Sequence, residues 1–106
     1  MNKTVITCNS VEAEHLAQVI AEMRKLGAPT VRVVDCGDHW FALEGTHRLH
    51  AAAELGLTPD FVVLAQDSLV DADSLDWDDL RSGSSYAAGE LVQYAPHNRV
   101  LRFAVP

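Results

Sequence analysis

Between Glu44 and His50 the chain reads Glu-Gly-Thr-His-Arg-Leu-His, a run of side chains able to hold and handle a phosphate. Glycine lets the backbone turn sharply and lets an anion approach it closely, because no side chain stands in the way. Arg48 is a fork of N–H donors matched to phosphate oxygens. Thr46 offers a hydroxyl, and the His47 imidazole titrates near neutrality, so it can donate in either charge state. His50 follows three residues after His47, close to the same helical face. A helix starting at Thr46 would add its unpaired backbone N–H groups and the positive end of its dipole. Glu44 is the carboxylate of this junction. It could orient Arg48, hold magnesium or act as a base toward a hydroxyl, and it could equally pair with a neighbouring arginine or cap the helix. His47 and His50 would need further ligands to bind zinc, and Cys36 and His39 are the nearby candidates in sequence.

The elements that must position this junction follow from hydrophobic pattern and turn residues. Thr4-Val5-Ile6-Thr7-Cys8 is short and rich in β-branched residues, as a strand should be. Asn9 and Glu12 have the spacing of a capping box, and Leu16, Val19, Ile20, Met23 and Leu26 recur at helical intervals. A helix is therefore predicted over residues 11–26, stopped by Gly27 and Pro29. Residues 30–35 and 39–43 read as two strands of a hairpin across Cys36-Gly37-Asp38. The helix over 46–55 comes next, with Leu49, Ala52 and Ala53 on one side and Gly56 as its stop. Residues 61–64 are expected to form a buried strand.

From Gln66 onward the pattern changes. Asp67, Asp71, Asp73, Asp76, Asp78 and Asp79 invite a metal reading, but the run lacks the glycine and terminal glutamate of a calcium loop. A solvated loop with a short helix from near Ser74, anchored by Leu75, Trp77 and Leu80, is expected instead. Residues 81–85 suit a turn. Residues 90–94 and 99–105 could make a terminal hairpin, while a helix over 86–93 competes for the same residues, and Gly89 leaves the two open.

A chain of 106 residues, 48% hydrophobic, can bury one core, so a single domain over 1–106 is expected. The net charge of −7 would repel a nucleic-acid backbone or an anionic membrane, so neither is expected as a direct partner. Cys8 and Cys36 have neither zinc spacing nor the number of a disulfide framework. No apolar run approaches the roughly 20 residues that span a bilayer, and the first residues lack a signal-peptide pattern. Reduced thiols and a cytoplasmic location are the expectation.

Three stretches together resemble the ParB/sulfiredoxin superfamily: Lys25-Leu26-Gly27-Ala28-Pro29-Thr30-Val31, then His39 through Ala52 with its Gly45-Thr46-His47-Arg48 turn, then Gly56 and Phe61-Val62-Val63-Leu64. The match runs over residues 16–64. It implies an α+β domain, a small mixed β-sheet with packed helices, in which Gly45, Thr46, His47 and Arg48 cradle nucleotide phosphates. Pro29 and Thr30 would then lie near the nucleotide's other end. ATP serves sulfiredoxins, CTP serves ParB proteins and a kinase branch transfers phosphate, so ATP or CTP with Mg²⁺ is the implied cofactor, and Glu12, Glu14 and Glu44 are the conceivable bases.

Sulfiredoxins carry a reactive cysteine where this chain has Thr46, which argues against sulfinic acid reduction. ParB proteins carry a further arginine where this chain has His50, together with a helix-turn-helix domain that has no counterpart here, which argues against chromosome partitioning by this chain alone. The functional expectation is a nucleotide- or phosphate-binding protein acting as a phosphotransferase or NTPase on a small molecule. The alternative is a non-enzymatic protein-interaction or regulatory module, as a homodimer or with a basic partner facing residues 67–79.

Overall fold

The computed structural model describes residues 2–8, 10–75, 77, 80–95 and 99–105. Strand β1 (Asn2–Thr7) leads to helix α1 (Ala13–Leu26), then β2 (Thr30–Asp35), β3 (Trp40–Ala42) and helix α2 (Thr46–Leu55). Next come β4 (Asp60–Leu64), β5 (Leu69–Asp71), a 3₁₀ turn (Ala72–Ser74), β6 (Ser85–Ala87), helix α3 (Ala88–Tyr94) and β7 (Arg99–Ala104). Five strands form one mixed sheet in the order β4-β2-β3-β1-β7, and β5 with β6 makes a separate two-stranded ribbon. The α+β class expected from the sequence is the class observed.

Alternation along the strands builds two cores, one on each face of the sheet. Val5, Val31, Val33 and Ala42 pack with Met23 of α1, with Leu49, Ala51 and Ala52 of α2, and with Phe103. On the other face Val34, Phe41 and Leu43 pack with Ala88 and Leu91 of α3, with Val70 and with Leu75. Both faces of β2 are covered, which is why the adjacent residues Val33 and Val34 are both fully buried.

The hairpin of β2 and β3 forms as its glycine-bearing loop predicts: the Cys36 N–H donates to the His39 carbonyl at 3.0 Å, and the Gly37 N–H donates to the Asp35 carboxylate at 2.9 Å. Helix α1 starts at Ala13, with Glu12 at its N-cap and no side-chain cap. Asn9, the other half of the predicted capping box, lies outside the described residues. Helix α2 has the predicted bounds, but its buried side is different, since Ala51 is buried and Ala53 is exposed. The helix touches both α1 and β7, which rotates its covered arc away from Ala53.

Strand β4 is not the buried strand expected. It is the edge of the sheet, paired only with β2 in parallel, and Val62 and Val63 remain 44% and 45% exposed. Phe61 is its inward anchor, 5.2 Å from the Trp40 ring and 5.6 Å from Phe103. The terminal hairpin does not form either. Residues 88–94 are helical, and β7 pairs antiparallel with β1, the first strand of the chain, because that edge offers a full six-residue ladder from Asn2↔Ala104 to Thr7↔Arg99.

The short helix placed near Ser74 is instead a single 3₁₀ turn that ends there. Its proposed anchors Leu75, Trp77 and Leu80 do pack against the second core. Asp76, Asp78 and Asp79 lie outside the described residues. Asp73 accepts hydrogen bonds from the Ser82 hydroxyl at 2.9 Å and the Gly83 N–H at 3.1 Å, closing the turn over 81–85. Among the described residues no helix is long and apolar enough to cross a membrane.

Candidate functional site

Gly45 adopts a left-handed conformation, φ +71°, and its carbonyl accepts the Leu49 N–H at 2.8 Å, so the chain passes from β3 into α2 within a few residues. The N-cap residue Gly45 has no side chain with which to cap this helix start, and the first turn holds no acidic residue. The early N–H groups of α2 have no intrahelical partner. The junction forms one wall of a cavity of about 400 Å³, whose facing wall is His15, Val19 and Glu22 of α1, with Trp77 at the side.

The Arg48 guanidinium folds back over Gly45. A β-carbon on Gly45 would stand 3.0 Å from Nη2 and 3.3 Å from Nε. Nη1 donates to the Thr30 carbonyl at 3.2 Å, so Thr30 enters the site as the residue that holds Arg48. Pro29 lines an adjoining hollow of about 220 Å³ with Met23 and Leu26. Val19, Glu22 and Arg48 border both hollows.

Thr46 is buried, and its side chain hydrogen-bonds Cys8. The Cys8 thiol also donates to the Leu43 carbonyl at 3.8 Å. Folding thus sets a cysteine beside Thr46 although the two are far apart in sequence. Burial pushes that thiol above its ordinary range, leaving it protonated and a poor nucleophile.

His47 Nε2 accepts the Glu12 N–H at 3.0 Å, and its ring stacks on His15 with centroids 4.2 Å apart. The accepting Nε2 places the proton of the neutral ring on Nδ1. Burial first, then the adjacent His15, lower the His47 pKa, with Glu12 opposing. The unfolded chain therefore protonates first as the pH falls, near the usual value of about 6.5. Stability carried by neutral His47 is present above that pH and is lost as the pH drops through the lower folded-state value. The expected result is an NMR titration midpoint for His47 below 6.5, with urea midpoints that fall from pH 8 to pH 5 less steeply in His47→Gln than in the parent.

Glu44 meets Arg32 through both oxygens, Oε2 at 3.0 Å from Nε and Oε1 at 2.8 Å from Nη2. The hydrogen bonds from Arg32 hold its carboxyl below the usual range against the opposing effect of burial. Arg32 also reaches the Ser74 hydroxyl at 3.2 Å. Glu44 thus braces the junction against β2 and the 3₁₀ turn, and both of its acceptor atoms are engaged. His50 lines a separate hollow with Val11, Ala13, Leu16 and Glu54, away from Gly45, Thr46, His47 and Arg48. Cys36 and His39 belong to the β2–β3 turn, where the Cys36 thiol donates to the Val34 carbonyl and His39 Nδ1 lies 2.7 Å from Asp38.

Three cavity residues of α1 escape a motif search. His15, Val19 and Glu22 are spaced by four and three, a single stripe beside the apolar face, and that spacing is the signal that could have found them. Trp77 and Arg32 had no local signal. Among the described residues no cation pairs with Glu22, whereas Glu44 is neutralised by Arg32. The cavity therefore offers one cationic fork, one carboxylate free of a cation and the stacked imidazoles of His15 and His47. No protein-family model, curated protein or solved structure matches the chain, so the function of this site is argued from its geometry.

Proposed function

We propose that the protein binds a nucleotide or another phosphorylated small molecule, with phosphates at Gly45, Thr46, His47 and Arg48 and the apolar end at Met23, Leu26 and Pro29. The observation that carries this reading is the pair of adjoining hollows with Arg48 on their shared border, one at a glycine-led helix start and one lined largely by apolar residues. A ligand with an anionic end and a flat apolar end suits that arrangement, and about 400 Å³ falls within the range of small-molecule pockets.

The order of elements supports reading the domain as one of the ParB/sulfiredoxin kind. A helix, a turn through Gly27 and Pro29, a hairpin, a glycine-led helix start and a further strand follow one another as that resemblance implies. ATP or CTP with Mg²⁺ fits the donor set, because magnesium is usually held by one or two carboxylates together with substrate phosphates, and Glu22 faces the phosphate end. The ion would neutralise phosphate charge. In a phosphotransferase or NTPase, Arg48 would hold the transferred group and His47 would donate through Nδ1–H. Glu44 has both oxygens committed to Arg32, so Glu22 is the carboxylate left to hold the ion.

A second reading, a non-enzymatic interaction or regulatory module, draws support from β4, whose free edge exposes Val62 and Val63. Thermal shift separates the two. ATP, ADP or CTP with magnesium, present at 100 times its dissociation constant, should add about 2.7 kcal/mol of stability, and Arg48→Ala should abolish the shift. If no nucleotide of that panel moves the melting temperature of the parent protein, the interaction reading replaces the first.

A further inference from the structure

Over the second core lies a hollow of about 340 Å³ that the phosphate reading does not use, lined by Trp77, Leu80, Tyr86, Glu90, Tyr94 and Ala95. Among the described residues, three aromatic side chains and one carboxylate line this space and no Lys or Arg does. The polar ends of two rings are already held by the protein. Trp77 Nε1–H donates to the Leu43 carbonyl at 3.0 Å, and the Tyr86 hydroxyl accepts the Arg81 backbone N–H at 3.3 Å. What these side chains can offer a ligand is therefore their π-surface.

Ring-to-ring contacts among the described residues join His15 to His47, Trp40 to Phe61 and Phe61 to Phe103. None joins two rings of this hollow, so its aromatic residues line the space without closing on one another. Tyr94 remains 75% exposed, so much of its ring is open to solvent.

Ring faces carry negative potential and attract a weakly hydrated cation, and a methylated ammonium needs no hydrogen-bond acceptor because it has no N–H to satisfy. Glu90 supplies the compensating charge. An anion would be repelled by Glu90, which no lysine or arginine of the described lining offsets, and the net charge of −7 favours approach of a cation. We propose that Trp77, Tyr86, Tyr94 and Glu90 form a binding site for a small quaternary ammonium compound.

Choline and its uncharged isostere 3,3-dimethylbutanol have nearly the same shape and differ in charge, so the pair isolates the cation. Titrating choline chloride into the protein should shift the indole N–H resonance of Trp77 saturably and leave that of Trp40 in place, while the isostere should give no saturable shift. Tyr94→Leu should weaken choline by about tenfold and Tyr94→Phe should not, because the ring rather than the hydroxyl is the contact. Glu90→Gln should weaken it as well. Tyr94 is exposed, so its variants keep their fold and the comparison holds. Equal binding of choline and the isostere, unchanged affinity in Tyr94→Leu, or no saturable choline shift would each overturn the proposal. Choline carries no phosphate, so the outcome is independent of the nucleotide site even though Trp77 borders both hollows.

Discussion

Gly45→Val is expected to destabilise the protein by about 3 kcal/mol and to remove the ligand-binding geometry of Arg48 together with it. Two independent costs combine. The backbone at residue 45 has φ +71°, a conformation that β-branched residues adopt only under strain. Any side chain would also enter the space of the Arg48 guanidinium, whose Nη2, Nε and Cζ lie 3.0, 3.3 and 3.4 Å from the position of an added β-carbon. Arg48 would have to swing away and release the Thr30 carbonyl. Urea denaturation measures the first effect. For the second, Gly45→Ala is the better variant, because it pays the backbone cost of about 1–2 kcal/mol and should still fold, yet it crowds Arg48 in the same way. A Gly45→Val protein within about 1 kcal/mol of the parent would mean that the helix start does not have this shape.

Leu49→Ala is expected to cost about 3 kcal/mol, because Leu49 is fully buried and is the largest of the buried side chains of α2 in the first core. The other buried residues of that core come from five further elements: Val5 of β1, Met23 of α1, Val31 and Val33 of β2, Ala42 of β3, and Phe103 of β7. A cavity at that junction cannot be filled by moving one of them without unseating another. Chemical denaturation gives the loss, and faster hydrogen exchange along α2 should accompany it, since the helix would keep its termini but lose its anchor. Ala53→Ser on the exposed side of the same helix should stay within about 0.5 kcal/mol of the parent. Similar losses at 49 and 53 would contradict the burial pattern of α2.

Within the cavity, stability and binding share residues. The bond from the Glu12 N–H to His47 ties the start of α1 to the start of α2, and the Glu44–Arg32 pair ties the end of β3 to β2. Neither contact reaches a ligand directly. Both hold the walls that would, so variants at these positions should be judged by stability before binding.

By itself the sequence determined the parts that depend on neighbours in the chain. Helix α2 could be read to the residue because Gly45 and Gly56 both take the left-handed conformation that bounds it, and β2 because a stretch rich in β-branched residues, broken only by Arg32, follows Gly27 and Pro29. Gly45, Thr46, His47 and Arg48 lie together for the same local reason, as one turn of helix behind one glycine. Tertiary structure alone decided what stands opposite them. His15, Glu22 and Trp77 reach the cavity from distant positions, Arg32 captures Glu44, and His50 turns to another hollow once α2 is seated between α1 and β7. The same applies to the strands. Phe61-Val62-Val63-Leu64 has the composition of a buried strand, yet becomes an edge because the sheet ends there, and residues 88–94 form a helix because β7 finds its partner in β1 at the other end of the chain. Propensity and spacing act over a few residues, whereas strand order and the facing walls of a cavity are set by burial and pairing between segments far apart in sequence, which no local pattern encodes.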